Sequence, residues 1–192
     1  MKYALYTETA TVSPALTEAG LLTGDEEDVV IFEAEGPGEA IRKLRSSAPD
    51  YERIMCVLVR PMRSPGITFI ESGLRSLQSA VDGNIEFTPC SGLTGVDIIC
   101  NEEAKLIRLP PNRALRSEGQ IYDVICGNMI VAGSDEDGYI KSLEDDLAVL
   151  VFEMFRYPEI FIFGEGSDRI RSVSCPPEIA RFMRENGVSI IR

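Results

Sequence analysis

The centre of the chain reads LQSAVDGNIEF (77–87), VDIICNEEAKLIRLPPNRAL (96–115) and IYDVICGNMIVAG (121–133). Compact apolar runs alternate here with polar residues that no turn obviously needs. Such a mixture indicates either a binding site or a backbone that side chains hold in place, but it does not by itself name a chemistry. The polar residues concerned are Asn101, Glu102, Glu103, Lys105, Asn112 and Arg113.

The apolar runs of this stretch predict short strands. VDIIC, KLIRL, IYDVICG and NMIVAG have strand length and composition, and NEE, PPN and RSEGQ separate them. We therefore expect an antiparallel meander laid beside a first sheet.

The residues before the meander predict a β-α-β unit. RIMCVLVRP (53–61) is apolar at consecutive positions, which is typical of a strand buried on both faces. A turn, PMRSPG, leads into TFIESGLRSLQSAVDG (68–83), whose apolar residues recur at helical spacing, and the strand NIEFT follows. If the two strands are parallel neighbours, the crossover is right-handed. The helical positions are Phe69, Ile70, Leu74, Leu77 and Val81.

Two strands are predicted near the N-terminus, at 2–8 and 29–34. Between them Ser13 and Pro14 have the residue types of a helix cap and a first helical position. A second helix is predicted in EAIRKLRSS (39–47), ahead of Pro49.

A long helix is predicted after the meander. Ser142 is its expected cap, and Pro158 stops it. Its LAVLVF run is nearly continuous, so we expect burial on more than one side. The tail that follows has strand, turn, strand, helix and strand signals, and GEGSDR (164–169) is interpreted as its hairpin turn because it lacks the lysine of a phosphate-binding P-loop.

The fold class predicted from these elements is α+β: a mixed sheet with a β-α-β unit, followed by an antiparallel meander and a long helix. We expect one main domain over residues 1–157. Residues 158–192 are expected to form a C-terminal β-β-α-β extension packed on it. We call this second segment the extension.

Composition excludes several classes of protein. The 192 residues contain no His, so a Ser-His-Asp triad or a Cys-His pair within the chain is excluded. The net charge of −12 disfavours direct binding to a nucleic-acid backbone, although the basic residues between Lys105 and Arg116 keep it open. No apolar run is long enough for a membrane span, and acids occur too early for a secretory signal, so we expect a cytoplasmic protein.

The five cysteines include no C-x-x-C pair. Without clustered Cys and His we expect no structural zinc and no other cofactor. Cys56, Cys100 and Cys126 lie inside apolar runs and are expected to pack as small hydrophobic residues.

NEEAK (101–105) has two interpretations. Its carboxylates and lysine could hold a divalent cation or perform acid-base chemistry. On a strand, however, Glu102 and Glu103 would point to opposite faces, while Asn101 and Glu103 would share a face with Lys105. An internal salt bridge or hydrogen-bonded frame is therefore the favoured interpretation.

PPNR (110–113) has the same two interpretations. Asn112 suits a turn or cap, and Arg113 can make a bidentate contact with a carboxylate or a phosphate. In so acidic a chain we expect an internal partner for Arg113, such as Asp123 or Glu103. If that partner is absent, Arg113 becomes the candidate for ligand contact.

LQSAVDGNIE, IICNEEAKLIRLPPNRAL and YDVICGNMIVAG resemble the phage and plasmid family called domain of unknown function 3846. The resemblance covers Ile54 to Leu147. Ala104 stands where the family pattern usually has Gly, and Pro111 interrupts the usual spacing before Asn112. The resemblance implies a small accessory protein of a mobile genetic element or phage in Gram-positive bacteria, without an established catalytic activity.

These observations lead to three hypotheses about function. The first is a non-enzymatic, acidic interaction protein that binds a host effector with a basic surface, such as a nucleic-acid-targeting defence nuclease, in the manner of an anti-CRISPR. The second is a protein that binds or sequesters a nucleotide signal. The third is an enzyme that uses Glu and Lys with a divalent metal. The ligand site of the second hypothesis would contain Asn101, Glu103, Lys105, Asn112 and Arg113.

Overall fold

The computed structural model describes residues 2–6, 11–14, 29–47, 53–164 and 170–187. Thirteen strands and four helices lie within these residues. The strands are β1 (Lys2–Tyr6), β2 (Thr11–Pro14), β3 (Val29–Glu33), β4 (Arg53–Val59), β5 (Gly66–Glu71), β6 (Ile85–Pro89), β7 (Val96–Asn101), β8 (Pro111–Ser117), β9 (Gln120–Cys126), β10 (Met129–Ser134), β11 (Ile140–Lys141), β12 (Glu159–Phe163) and β13 (Ile170–Ser174). The helices are α1 (Pro37–Ser47), α2 (Leu74–Val81), α3 (Asp145–Met154) and α4 (Pro177–Glu185).

Nine of the strands form one sheet, in the order β3-β1-β2-β5-β4-β10-β7-β6, with β11 also paired to β10. The other four form two hairpins, β8–β9 and β12–β13. All pairings among the described residues are antiparallel. The predicted α+β class is confirmed, and β10 lies inside the sheet between β4 and β7.

The sheet has an apolar layer on each face. Because successive strand residues point to opposite faces, Val57 of β4 faces the layer under α1 and α3, whereas Cys56 faces α2. On the α2 face, Leu77 and Val81 pack against Ile130. Full burial of such side chains stabilises the fold by about 1.5–3 kcal/mol each. The prediction that residues 53–61 are buried on both faces is confirmed for most of β4.

The predicted β-α-β unit is wrong in its first half. Residues 68–71, expected to open the helix, belong instead to β5, which pairs with β4 as a hairpin. β4 and β6 are therefore not parallel neighbours, since β10 and β7 separate them. GITFIE is rich in β-branched and aromatic residues, which favour a strand, and the helical spacing of Phe69 and Ile70 was coincidental.

The predicted meander is correct in its antiparallel pairing but wrong in one strand. KLIRL is not a strand, because residues 102–108 form a series of turns. The strand lies later, at β8, in the segment PNRALRS, whose two ends had been assigned to the turns PPN and RSEGQ. The β8–β9 hairpin then leaves the sheet, and its Leu115 and Ile125 join the apolar layer under α1 and α3.

The predicted helix starts are wrong at two places. Ser13 and Pro14 end strand β2, and the residues after them lie outside the described ranges. Ser142 does not cap α3, because the helix begins after Glu144. The hydroxyl of Ser142 instead accepts a hydrogen bond from the backbone N–H of Met55 at 3.0 Å.

Helix α3 is buried mainly on one side, contrary to expectation. Ala148, Val151 and Phe152 are buried, but Leu150 and Met154 are 48% and 46% exposed. Within the described residues, every helix falls short of the length and apolarity that a membrane span needs. The predicted GEGSDR turn, apart from Gly164, and the predicted last strand lie outside the described residues.

Candidate functional site

The side chain of Asn101 holds the C-terminal end of α2. It is 3% exposed, and its Nδ2 donates to the carbonyl oxygens of Asp82 at 2.9 Å and Val81 at 3.4 Å. Carbonyls at this end of a helix have no partner inside the helix. The Oδ1 of Asn101 accepts from the backbone N–H of Glu103 at 2.8 Å, which fixes the turn after β7. Asn101 is therefore a structural cap for α2.

Gly83 leaves the space that this cap needs. A Cβ at this position would lie 2.3 Å from Nδ2 of Asn101, closer than real atoms approach. The chain turns here because Asp82 has a φ of 60°. The N–H of Gly83 then donates to the Gln78 carbonyl at 3.0 Å, as in a Schellman motif.

Other residues of the central stretch extend this frame. Nε2 of Gln78 donates to Oδ1 of Asn84 at 3.3 Å, and Nδ2 of Asn84 donates to Oε1 of Glu102 at 3.0 Å. From the turn before β10, Asn128 donates to the Ala80 carbonyl at 3.2 Å. Neither Asn84 nor Asn128 was predicted to belong to the site. The sequence feature that could have identified them is an asparagine close to a predicted helix end, since its carboxamide can reach backbone carbonyls that have no partner within the helix.

At the surface, Lys105 forms an ion pair with Asp123 of β9. Burial is the largest single influence and disfavours the charge of Lys105, but the hydrogen bond and the charge of Asp123, with smaller contributions from Cys126 and Glu86, together raise the lysine pKa above its ordinary value. Glu103 is exposed, and its side chain makes no hydrogen bond or ion pair to another described residue. The expected shared face of Asn101, Glu103 and Lys105 does not form, because the residues after Asn101 lie in turns.

Asn112 ties the β8–β9 hairpin to the main sheet. It is fully buried, and its Nδ2 donates to the carbonyl oxygens of Val59 at 2.9 Å and Gly127 at 2.7 Å. An irregularity in the pairing of β8 with β9 falls between Pro111 and Arg113. Such a bulge re-aims a side chain, here toward the end of β4.

Arg113 is a buried clamp with all five N–H donors in use. Nε and Nη2 donate to the carbonyl oxygen of Phe155 at 3.3 and 3.0 Å. Nη1 donates to the carbonyl oxygen and Oδ1 of Asn112 at 3.0 and 2.8 Å, and Nη2 also donates to the Arg63 carbonyl at 2.8 Å. A guanidinium has five donors and no acceptor, so this set is complete. The clamp joins β8, the β4–β5 turn and the residue that ends α3.

The environment of Arg113 differs from the predicted ion pair. Burial lowers its pKa to about 10, while the charge of Glu159 acts in the opposite direction, so the group stays protonated at neutral pH. The prediction that Asp123 or Glu103 is its partner is wrong, since all five of its hydrogen bonds go to neutral acceptors, which are backbone carbonyl oxygens and the side chain of Asn112. Two features place negative charge near the guanidinium: the C-terminal end of α3, where Phe155 presents its carbonyl, and the carboxylate of Glu159.

The five residues predicted for a ligand site do not line a common pocket. Asn101, Asn112 and Arg113 are buried with internal partners, and Lys105 is paired. Arg113, the candidate for ligand contact, is 1% exposed and has no donor left. A surface depression of about 480 Å³ lies elsewhere, lined by Glu35, Glu39, Arg42 and Lys43. The geometry thus gives the nucleotide hypothesis no site at these residues.

The predicted basic strip between Lys105 and Arg116 is not a continuous free surface either, although Arg108 within it is exposed. Arg113 is buried, and Arg116 binds both carboxylate oxygens of Glu159, at 3.1 and 2.6 Å. That bond raises the pKa of Arg116 and links β8 to the first strand of the extension. Phe161 of the same strand packs against Ala114. The extension thus contacts the β8–β9 hairpin.

Four of the five cysteines are buried, and the fifth, Cys126, is partly buried. Cys56 and Cys100 are 0% and 2% exposed, as predicted, whereas Cys126 is intermediate. Burial, reinforced by Glu86, raises the pKa of Cys100 to about 12, and burial with Asp97 raises that of Cys90 to about 11. No group of three or more His, Cys, Asp or Glu within the described residues is arranged to hold a metal ion.

We expect Cys90 and Cys100 to resist alkylation in the folded protein. At pH 8 a thiol with a pKa near 11 has about a hundredfold less thiolate than an ordinary cysteine, and burial also blocks access. Mass spectrometry after iodoacetamide treatment should show both unlabelled in buffer and labelled in denaturant. Labelling of Cys100 in buffer as fast as in denaturant would contradict this burial.

A protein-family model matches the central part of the chain. The model of the family described as Domain of unknown function (DUF3846) matches residues 54–156, which is just over half of the chain. The match begins where the resemblance was placed and extends to the end of α3 and its terminal Phe155. No curated protein and no solved structure matches significantly.

Proposed function

Because the chain belongs to the DUF3846 family, we propose that it is a non-enzymatic accessory protein of a phage or mobile genetic element. In this proposal it acts in the cytoplasm and binds the basic surface of a host effector. The class of partner is a nucleic-acid-targeting defence nuclease, which the protein inhibits in the manner of an anti-CRISPR. The observation that carries the proposal is the net charge of −12.

The distribution of this charge supports a protein partner. Residues 158–192 contain five acidic and five basic residues, so the whole excess of acid lies in residues 1–157. Within the main domain, Glu136 and Asp137 are exposed in the β10–β11 turn, and Glu144 and Asp146 are exposed at the start of α3. Exposed carboxylates steer a protein toward basic surfaces and repel nucleic acid.

The internal use of the family's polar residues also supports the proposal. Asn101, Asn112 and Arg113 hold backbone carbonyls in place, so the hydrogen-bonding groups that a ligand would need are already used within the fold. We therefore expect a partner to bind the acidic surface of the main domain and not a pocket formed by these residues. An interface of this kind gains association rate and specificity from charge.

A pull-down from host lysate with a salt titration tests the proposal. The immobilised protein should retain a basic, nucleic-acid-binding protein at low salt and release it as salt rises, because salt screens exposed charges. Failure to retain any such protein at low salt would contradict the proposal.

Glu136→Lys should weaken this retention so that the partner elutes at lower salt. The substitution reverses one charge and leaves Asp135, whose Oδ1 accepts from the N–H groups of Asp137 and Tyr139 and so holds the turn. Glu178→Lys in α4 is the matched control, since it makes the same charge change on the neutral extension. An equal effect of both substitutions would show that the acidic main domain is not the contact.

A further inference from the structure

Strand β6 is an open edge of the main sheet. Among the described residues it pairs only with β7, which separates it from β10. Two backbone hydrogen bonds flank this pairing and fix its pattern. The N–H of Glu102 donates to the carbonyl oxygen of Asn84 at 3.0 Å, and the N–H of Cys90 donates to that of Val96 at 2.9 Å.

Ile85 and Phe87 therefore direct their backbone N–H and C=O groups away from the sheet. Bonded and non-bonded pairs alternate along antiparallel strands, so Glu86 and Thr88, which lie between the two flanking bonds, point their backbone groups toward β7. The next outward position is Pro89, which has no N–H, so the free donors of this edge end at Phe87. An edge with free N–H and C=O groups is a template for one further strand.

The two faces of β6 differ in their side chains. Ile85 packs against the apolar layer on the α2 face, and Phe87 shares that face because it is two residues further along the strand. Phe87 is 49% exposed. Glu86 is also exposed and lies on the opposite face. A strand beside β6 would therefore meet apolar side chains on one face and a carboxylate on the other.

The charge around β6 has one sign. Residues 76–104, from α2 to the turn after β7, contain five acidic residues and no Lys or Arg. The nearest basic residues along the chain are Arg75, in the first turn of α2, and Lys105, which is paired with Asp123. Such a surface attracts basic groups. The five acidic residues are Asp82, Glu86, Asp97, Glu102 and Glu103.

We propose that an extended, basic segment of a protein partner adds to the sheet as a strand beside β6. This inference rests on the proposed function, in which the partner is basic, and it names the surface and the form in which the partner binds. Backbone hydrogen bonds to Ile85 and Phe87 supply affinity, and the side chains select the segment. The segment alternates basic residues, which lie beside Glu86, with apolar residues that cover Phe87.

A synthetic peptide of about eight residues that alternates Lys and Val is the probe, and fluorescence anisotropy measures its binding to the full-length chain. A peptide of the same composition with Lys and Val in separate blocks is the control, since it has the same charge but no basic and apolar faces. We expect the alternating peptide to bind at least about tenfold more tightly, and to lose affinity as salt rises. Equal binding of the two peptides would overturn the proposal, because charge alone would account for it.

Backbone amide exchange locates the contact. In the free chain the N–H groups of Ile85 and Phe87 should exchange rapidly with water, whereas those of Glu86 and Thr88 should exchange slowly because they are bonded to β7. The alternating peptide should slow exchange at Ile85 and Phe87. Slow exchange at both residues before any peptide is added would show that another part of the chain or a second copy covers the edge, and would overturn the proposal. So would unchanged exchange in the presence of the peptide.

Phe87→Pro should weaken binding of the alternating peptide by about tenfold or more, because proline removes an outward N–H and takes no hydrogen bond from the β6–β7 pairing. Phe87→Ala is the matched control, since it removes the side chain, keeps the N–H and should weaken binding less. Far-UV circular dichroism checks folding. Equal effects of the two variants would overturn the backbone contact.

Glu86→Lys is a second route if Phe87→Pro fails to fold. It should weaken binding of the peptide severalfold at low salt, because it places a like charge beside the peptide's lysines. Glu178→Lys, on the neutral extension, makes the same charge change and should leave the affinity unchanged. Equal effects of these two substitutions would show that β6 is not the contact.

The peptide and lysate experiments distinguish this proposal from the proposed function. Capture of a basic protein from lysate that Phe87→Pro and Glu86→Lys both leave unchanged would support the proposed function and overturn the contact at β6. Binding of the alternating peptide at β6 by a chain that captures no basic protein from lysate would support the contact and contradict the proposed function.

Discussion

We expect Arg113→Ala to lower the free energy of unfolding by about 3–5 kcal/mol. The substitution leaves the carbonyls of Phe155 and Arg63 without their buried donor and opens a cavity at a side chain that is 1% exposed. Each buried acceptor that loses its partner costs about 1–3 kcal/mol, and the cavity adds to that. Urea denaturation followed by circular dichroism measures the change.

Two further variants make the Arg113 prediction specific. Arg113→Lys should recover only part of the loss, because an ammonium group has three donors and lacks the planar fork that reaches two carbonyls. Arg75→Ala, on the exposed side of α2, is the control for loss of an arginine charge and should change stability by less than about 0.5 kcal/mol. If Arg113→Ala costs no more than Arg75→Ala, the five-donor clamp is not a stabilising feature.

We expect Gly83→Ala to lower the free energy of unfolding by about 2–3 kcal/mol, because the added Cβ overlaps the Asn101 carboxamide. The Cβ would lie 2.3 Å from Nδ2 and 2.9 Å from Cγ of Asn101, which fixes where the clash occurs. Asn101→Ala alone should cost about 2 kcal/mol through the carbonyls it leaves uncapped. In the double variant the clash is absent, so its cost should be at least about 1 kcal/mol less than the sum of the two.

The same denaturation series contains the control for glycine replacement. Gly73→Ala, before α2, meets nothing within 4 Å, so it should cost little. Strict additivity of Gly83→Ala and Asn101→Ala would show that the two residues do not share the space the structure assigns to them.

The sequence predicted the strands best where apolar runs lie in the sheet centre. β4 and β10 follow directly from RIMCVLV and MIVAGS, whose side chains are mostly buried. Sequence periodicity gave the wrong element at GITFIE, where Phe69 and Ile70 matched the spacing of a helical face by chance. In the structure these two residues pair with Met55 and Ile54 of β4 as part of a strand. The insertion of β10 between β4 and β7 was also beyond prediction, because local pattern does not state which distant strands pair.

At the candidate site, the sequence indicated a hydrogen-bonded frame but not its partners. Arg113 was expected to pair with a carboxylate, whereas it binds carbonyl oxygens from Phe155 and Arg63. Every residue has a carbonyl, so no residue type marks these partners in a sequence. Asn128 was missed for the same reason, since its contact with the Ala80 carbonyl depends on where the β9–β10 turn meets α2.

Taken together, Asn101, Asn112 and Arg113 join α2, the β8–β9 hairpin and α3 to the sheet. In our proposal, this internal role leaves the acidic exterior of the main domain for binding a partner. Loss of Arg113 should therefore reduce partner binding only as far as it unfolds the protein.

Nitrogen-15 NMR of the Arg113 side chain, recorded with and without added nucleotides, tests the central claim most directly. A guanidinium whose five donors are all bound internally should give separate N–H signals that exchange slowly with water and do not move when nucleotides are added. A single averaged signal in fast exchange, or a signal that shifts with nucleotide concentration, would contradict the internal frame.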